Sequence, residues 1–280
     1  MQIFVKLLGG LAALVLIVAA AAWIVGARQP SHAIYEHDRV IFVAVRQDQS
    51  GDTAAIADLA RNALWKADTL FAFIGTNEAD WSQFFLLAPD TALIADLGAQ
   101  PGLADVYAAE VELTKVPTAL LGFLRMQHLL GITQRPQGAL PASIDVVEGR
   151  SEILPSQDGL EAALAQDPAT QVTMLNYLEY FADDNGSKAQ ARADYGRYGV
   201  EAFKAVHAVG GQFLFAGEVK SVLIPAQHEP MPIKWDDVAA MIYPDPTAIL
   251  AMEQFEDYTR ALGDRDKGLE RTRIIATQTF

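Results

Sequence analysis

Polar and aromatic side chains in the second half of the chain are the residues best placed for chemistry. Asn176 interrupts the otherwise apolar run 172–178. A buried amide must form hydrogen bonds, so this side chain either bonds neighbouring backbone or faces a cavity. Tyr195 and Tyr198 stand three residues apart in a segment with helical spacing, which directs their hydroxyls towards the same space. The chemistry indicated is recognition of a small molecule.

Two further aromatic residues extend this group. Trp235 precedes a predicted strand and Tyr243 ends it. The alternative is core packing, in which the rings fill the interior and their polar atoms are satisfied. An aromatic pocket with a few converging polar groups is the usual form of a small-ligand site. The predicted ligand-binding residues are Asn176, Tyr195, Tyr198, Trp235 and Tyr243.

Motifs for catalysis and metal binding are missing from the sequence. There is no dinucleotide-binding glycine pattern, no phosphate-binding lysine loop and no nucleophile elbow. The chain has no cysteine, which excludes thiolate catalysis, disulfides and cysteine-bound metals. The five histidines show no H-x-x-x-H and no H-E-x-x-H spacing; they are His32, His37, His128, His207 and His228. We predict no metal and no cofactor, and identify no catalytic residue.

Other ionisable groups are predicted to be structural. His207 lies on a different helical stripe from Tyr195, which favours a surface position or a contact between halves over a general base. Basic and acidic residues alternate near the C-terminus and are expected to form solvated ion pairs that each stabilise little. The basic residues of this group are Arg260, Arg265, Arg271 and Arg273.

The composition restricts the classes of protein and the partners to be expected. The chain has 280 residues, 51% of them apolar, which is enough for a large packed core. Its formal net charge of -14 repels phosphate backbones, so nucleic acid is not an expected partner. A membrane, a small-molecule ligand and a second copy of the chain in a homodimer remain open as partners.

An apolar segment near the N-terminus predicts a membrane helix. Residues 7–26 carry no charge, and a helix of that length spans about 30 Å, the thickness of a hydrocarbon core. Trp23 stands where an interfacial aromatic residue would lie. We predict that residues 1–28 form a single-pass anchor with the body outside the cytoplasm, on the periplasmic side. The alternative is a cleaved signal peptide and a secreted body, because small residues suitable for cleavage follow the apolar run.

The remaining chain shows the same order of elements twice. In residues 34–132, strands are predicted at 40–45, 69–74, 81–87 and 106–113, with helices at 53–67 and 91–97, followed by an apolar helix at 118–130. Residues 133–165 are rich in proline and connect the halves, ending in a short helix at 159–165. In residues 166–280, strands are predicted at 172–178, 212–219, 237–243 and 273–277, with helices at 188–209 and 245–262.

The order β-α-β-β-α-β in each half is that of the ferredoxin-like unit. Such a sheet carries helices on one face, and its other face must be covered. Two copies in one chain would cover each other. We therefore predict an α+β fold with two ferredoxin-like halves, packed as an internal pseudo-dimeric α+β barrel and preceded by one transmembrane helix.

The second half also resembles a known family. The matching stretches are VTMLNYLEY (172–180), YGRYGVEAF (195–203), VGGQFLFAGEV (209–219), KWDDVAAMIYPDPTAILAM (234–252) and GLERTRIIAT (268–277). In this order they resemble the dimeric α+β barrel proteins, and most closely the domain-of-unknown-function family 1330. The resemblance implies a ferredoxin-like fold and pairing of sheets into a barrel. It implies no mechanism, because that family is uncharacterised.

Two functions are compatible with these observations. The first is a membrane-tethered barrel outside the cytoplasm that binds a small, largely apolar ligand or acts on it without a metal. It predicts a cavity of about 300 Å³ or more beside Asn176, Tyr195 and Tyr198. The second is a non-catalytic membrane-anchored scaffold or interaction module. It predicts an exposed apolar patch near residues 118–130.

Overall fold

The computed structural model describes residues 2–48, 53–76, 80–95, 97–141, 143, 152–227 and 235–280, with backbone alone for residues 2–13 and 91. The helices are α1 (Gln2–Gly26), α2 (Ser31–Ile34), α3 (Ala54–Asn62), α4 (Thr118–Leu129), α5 (Gln157–Ala165), α6 (Ala189–Ala208), α7 (Ala248–Ala251) and α8 (Glu256–Gly268). The strands are β1 (Arg39–Gln47), β2 (Ala63–Ile74), β3 (Gln83–Leu87), β4 (Leu103–Leu113), β5 (Val172–Tyr180), β6 (Gln212–Ile224), β7 (Asp237–Tyr243) and β8 (Leu269–Thr279). His228 and part of the 133–165 connection lie outside the described residues.

The strands of the described chain close into one antiparallel barrel. Their order is β1-β3-β2-β8-β5-β7-β6-β4. The first half contributes β4-β1-β3-β2 and the second half β8-β5-β7-β6, so both halves have the strand order of a ferredoxin-like unit. Two seams join the halves, one between β2 and β8 and one between β4 and β6. The predicted α+β barrel formed within one chain is confirmed.

The interior of the barrel is packed with aromatic side chains. One buried cluster takes alternate residues from all eight strands, which identifies it as the inward face because side chains alternate along a strand. Its largest fully buried members are Phe42, Trp81, Phe84, Tyr107, Tyr177, Phe215 and Trp235. Phe42 meets Tyr177 edge-on at 5.7 Å between ring centroids and stacks on Phe84 at 6.1 Å. These rings form the packed core of the barrel.

Helices and short turns cover the outward face of the sheet. Over the second half, α6 and α8 pack on β5, β7 and β8 through a separate buried cluster that includes Met174, Val206 and Tyr258. Over the first half, α3 packs through Ile56 and Leu59. The helix α5, in the predicted connection, packs on β2 so closely that a Cβ at Gly159 would overlap the Phe73 carbonyl oxygen.

Three predicted helices are wrong in detail. The helix predicted at 53–67 ends at Asn62, and residues 63–67 belong to β2. Instead of a helix at 91–97, the chain forms two short 3₁₀ turns, Thr91–Leu93 and Leu97–Ala99. A helix this short is not stable without packing. Instead of one helix at 245–262, the chain forms α7, a 3₁₀ turn (Met252–Gln254) and α8. The break coincides with the Gln254 side chain, which exchanges hydrogen bonds with the backbone of Gly138.

The N-terminal helix leaves the body beside α4. Ala22 and Gly26 of α1 pack on Thr118 and Gly122 of α4, where the backbones touch. Large apolar side chains further along these two helices and just beyond α4 are exposed, namely Leu14, Val15, Leu16, Ile17, Val18, Trp23, Ile24, Leu120, Phe123, Leu129, Leu130 and Ile132. A search of the described residues finds no helix with the length and hydropathy of a membrane span. The membrane helix at residues 7–26 stays a prediction.

Candidate functional site

A cavity of about 370 Å³ lies in the second half, between the outward face of the sheet and the helices α6 and α8. Its floor is built from alternate residues of three adjacent strands, including Asn176, Ala239, Met241 and Ile274. These residues face away from the barrel interior, because side chains alternate between the two faces of a strand. The cavity is thus outside the barrel and under the helices.

The helix α6 shapes the roof of the cavity. Tyr195, Tyr198, Ala202 and Val206 fall on one stripe at steps of three and four residues, and all of them line the cavity. Gly196 and Gly199 lie beside this stripe, and a Cβ at either position would have no neighbouring atom within 4 Å. Glycine within a helix costs up to about 1 kcal/mol relative to alanine. The sequence therefore keeps space at a place where helix stability favours a side chain.

Asn176 is the polar residue of the cavity floor. Its amide nitrogen donates to the carbonyl oxygens of Met174 at 2.9 Å and Ala239 at 3.5 Å, both of them backbone groups. Within the described residues, its side-chain oxygen accepts no hydrogen bond. That oxygen belongs to a residue of the cavity wall and offers an acceptor to a ligand.

Hydrogen-bond donors converge where α6 and α8 meet over the cavity. The hydroxyls of Tyr198 and Tyr258 lie 3.2 Å apart. Arg265, on α8, donates from Nε and Nη2 to Asp266 at 3.2 and 3.0 Å and lies close to both tyrosines. Burial raises the pKa of both phenols, with Arg265 opposing the rise. Both hydroxyls are therefore neutral at neutral pH and act as hydrogen-bonding groups.

A second polar cluster lies on the strand β7 side of the cavity. Asp237 accepts from the Tyr180 hydroxyl and from Arg192, each at 2.7 Å. The guanidinium of Arg192 also lies over the Tyr180 ring, 4.8 Å from its centroid. Burial raises the pKa of Asp237, an effect that both hydrogen-bond donors oppose. Arg192 also lies 3.6 Å from a carboxylate oxygen of Glu218, so this cluster closes the cavity with paired charges.

The structure brings together four of the five predicted ligand-binding residues. Asn176, Tyr195, Tyr198 and Tyr243 all line the cavity. Tyr195 makes no hydrogen bond through its hydroxyl within the described residues, whereas the Tyr243 hydroxyl donates to the Met252 sulfur at 3.6 Å. Burial raises the pKa of both phenols well above the usual value. Neither is a base at neutral pH.

Trp235 lies on the opposite face of the sheet from the cavity. It is fully buried inside the barrel, with its ring centroid 5.3 Å from that of Tyr177. The guanidinium of Arg271 covers its other side at 4.9 Å. Trp235 precedes β7 in a segment without the alternation that would have revealed which way the side chain points. Its position corrects the expectation that it shares the space with Asn176.

The arginines near the C-terminus do not form one solvated surface. Arg260 is exposed and pairs with Glu256, as predicted. Arg265 and Arg273, however, have side chains only 11% and 8% exposed, and Arg271 is half-buried against Glu179. Alternating charge could not show that α8 turns Arg265 towards a cavity. The same is true of Arg192, Asp237 and Tyr258, which sequence reasoning did not single out.

His207 lies between α6 and α4, which confirms a contact between halves and excludes a surface position. It is 2% exposed, and its Nδ1 lies 2.8 Å from the Phe203 carbonyl oxygen. Because a carbonyl only accepts, Nδ1 carries the proton and the unpartnered Nε2 does not. Burial lowers the pKa of His207, and the nearby Arg125 and His128 of α4 lower it further. No group of three potential metal ligands occurs within the described residues.

Comparisons with known proteins add little. No protein-family model and no curated protein matches the chain. A protein of unknown function from Rhodopseudomonas palustris is 23% identical, with a TM-score of 0.35 over 49% of this chain and 95% of that one. A protein from Lactobacillus acidophilus, provisionally described as a monooxygenase, is 7% identical, with a TM-score of 0.40 over 87% of this chain and 94% of that one. A similarly described protein from Fusobacterium nucleatum is 8% identical, with a TM-score of 0.37 over 86% of this chain and 92% of that one. TM-scores this low carry no argument about function, and the resemblance to family 1330 stays a prediction.

Proposed function

We propose that the protein binds a small, largely apolar ligand in the cavity between the sheet and helices α6 and α8, and either carries it or acts on it without a metal. The observation that carries the proposal is an aromatic-lined space of about 370 Å³ whose wall includes polar atoms without protein partners in the described chain. Volumes of 300–1,000 Å³, mostly apolar with a few convergent polar groups, are typical of small-molecule sites.

Gly199 of α6 supports a binding role. Ordinary core packing fills space, because protein interiors are close-packed and voids cost stability. Here the half-buried Gly199 leaves space open in the wall of the cavity, whereas Gly196 beside it is exposed. Selection for stability alone would favour alanine at position 199. A ligand that occupies the space accounts for this glycine.

A blocking substitution tests this proposal. Gly199→Leu places a large side chain in the open space at the cavity wall. The matched control is Gly263→Leu on α8, where a Cβ also meets nothing within 4 Å but the residue is outside the cavity. Small molecules extracted from the purified full chain are compared by mass spectrometry. We expect a compound that co-purifies with the wild type and Gly263→Leu and is lost from Gly199→Leu; retention by all three proteins overturns the proposal.

We also propose that α1 tethers the chain to a membrane with the body outside the cytoplasm. The support is a 20-residue uncharged segment whose side chains at positions 14–20 are exposed all round the helix. A helix that is apolar on every side needs either a protein core or a bilayer around it. Protease protection of the full chain in sealed membrane vesicles tests the topology. Cleavage of the body from the cytoplasmic side would contradict it.

The second candidate function, an anchored interaction module, is favoured by the exposed side chains of α4 and the turn after it. Leu129, Leu130 and Ile132 are 62%, 72% and 67% exposed and lie beyond the crossing of α1 and α4. Because the chain has no cysteine, a Leu130→Cys variant can be labelled with an environment-sensitive dye. A blue shift on addition of lipid vesicles would show that this patch faces the bilayer; a shift only with protein extracts would favour a protein partner.

A further inference from the structure

The corner of the cavity formed by Arg265, Tyr198 and Tyr258 has more hydrogen-bond donors than acceptors. Two of the arginine's nitrogens are occupied by Asp266, but within the described residues Nη1 has no acceptor. The two phenols share one hydrogen bond of 3.2 Å, which uses one of their two hydroxyl hydrogens. The other hydrogen has no acceptor among the described residues. Both donors lie in the cavity wall.

Unpaired hydrogen-bond donors in the cavity wall indicate which chemical group a ligand would place beside them. Nη1 of Arg265 is not one of the fully buried atoms that lack a partner, so this donor is open to the cavity. Arg265 is only 11% exposed, and its planar guanidinium favours oxygen acceptors. The partner therefore brings an acceptor oxygen to this corner.

The charges nearby distinguish a neutral oxygen from an anionic one. Arg265 is opposed by the carboxylate of Asp266, to which it is bonded, and by that of Glu253, which lies within its electrostatic influence. Glu253 also lines the cavity and forms no ion pair in the described chain. The corner thus holds one positive and two negative groups. An anionic ligand would add a third negative charge and meet net repulsion from these groups, whereas a carbonyl dipole would not.

We propose that the ligand carries a neutral carbonyl-type oxygen, which accepts hydrogen bonds from Arg265 and the Tyr198–Tyr258 pair while its apolar body lies on Ala239, Met241 and Ile274. This inference rests on the proposed function, because it concerns the ligand of the same cavity. Asn176, on the floor, adds an acceptor for a donor group of the ligand. The ligand class is a small apolar molecule with a ketone, ester or amide oxygen.

Three fluorescent probes with a naphthalene core test the assignment. Prodan carries a neutral ketone, phenylnaphthylamine has no carbonyl, and anilinonaphthalene sulfonate is an anion. Only binding that Gly199→Leu abolishes is counted as cavity binding, which excludes probe bound to the exposed patch on α4. We expect Arg265→Met to weaken prodan binding about tenfold and to leave phenylnaphthylamine unchanged, as for the loss of a hydrogen bond to a charged donor. Arg260→Met, an exposed arginine on the same helix, is the control.

A second variant covers the case in which Arg265→Met fails to fold because Asp266 loses its partner. The double variant Tyr198→Phe/Tyr258→Phe removes both hydroxyls together and leaves neither unpaired. We expect it to weaken prodan about fivefold, with phenylnaphthylamine again unchanged. Equal effects on the two neutral probes in either folded variant, or no effect on prodan, would overturn the carbonyl assignment.

Measurements with the anionic probe and with Gly199→Leu distinguish a failure of the carbonyl assignment from a failure of the proposed function. Glu253→Gln should strengthen binding of the sulfonate and leave prodan unchanged, because only the anion is repelled. If instead Arg265→Met weakens the sulfonate more than prodan, the head group is anionic and the inference fails. If no neutral probe shows binding sensitive to Gly199→Leu, the proposed function itself fails.

Discussion

Gly122 of α4 touches the backbone of Ala22 of α1, and a Cβ at position 122 would overlap the Ala22 carbonyl oxygen. Only glycine permits this approach. We therefore predict that Gly122→Ala forces α1 away from α4, at a cost of about 1–3 kcal/mol to their contact. Trypsin cleavage after the exposed Arg28 measures the separation, and we expect it to accelerate about fivefold or more. Leu120→Ala, an exposed position on α4, should leave the rate unchanged. An unaltered rate in Gly122→Ala would show that the two helices separate freely in solution.

Gly196→Ala should separate stability from binding. The added methyl group meets no atom within 4 Å and removes a helix-interior glycine, so we expect the free energy of unfolding to rise by about 0.5–1 kcal/mol. Because Gly196 lines the cavity, probe affinity should fall. Gly263→Ala should show the same gain in urea denaturation without any change in probe binding. Unchanged affinity in Gly196→Ala would place the ligand away from this wall.

The stability of the contact between α6 and α4 should depend on pH through His207. Its pKa is lowered in the folded state, so the unfolded chain binds more protons at mildly acidic pH. The contribution of the neutral ring is complete above the unfolded pKa of about 6.5 and is lost as pH falls through that value, levelling off below the folded pKa.

His207→Phe keeps a ring against Phe203 but cannot titrate. We expect its free energy of unfolding to fall less steeply between neutral pH and pH of about 5.5. The difference in slope is at most about 1.4 kcal/mol per pH unit, the limit for one proton. Denaturation curves at several pH values measure it. Parallel pH profiles for the two proteins would show that the folded and unfolded pKa values are equal.

Leu16→Arg tests the membrane helix. Position 16 lies near the middle of the uncharged segment 7–26, and its side chain is 70% exposed. A charged residue at the centre of a spanning helix costs about 3 kcal/mol. We expect the variant to leave the membrane on alkaline extraction, while Leu16→Ile remains bound. Equal retention of both would mean that another part of the chain makes the attachment.

Much of the fold could be predicted from the sequence because each strand carries its own signal. The apolar runs at 40–45 and 172–178 are buried strands whose length and β-branched residues distinguish them from helices, and 106–113 is marked as a strand by alternation. Their order then restricts the topology to a one-sided sheet that needs a cover. The predicted helix at 91–97 failed because local spacing of apolar residues does not show whether a packing partner exists.

The candidate site was predicted only in part, for a geometric reason. Asn176, Tyr195, Tyr198 and Tyr243 lie within regular elements, where periodicity determines which face a side chain occupies. Trp235 lies before a strand, so the alternation of side chains along a strand could not predict which face its ring occupies. Arg265 belongs to a helix whose charged residues fit a solvated face equally well, and only the packing of α8 on α6 distinguishes the two.

The seams between β2 and β8 and between β4 and β6 join parts of one polypeptide, and this has consequences for stoichiometry. A barrel assembled from two separate, identical chains has two equivalent sites and dissociates on dilution. A barrel formed by one continuous chain is not bound to have two equivalent sites, and its two halves do not dissociate on dilution. Its halves are free to differ, and the described cavity lies under α6 and α8 of the second half. We therefore expect one ligand per chain, bound with an affinity that does not change with protein concentration.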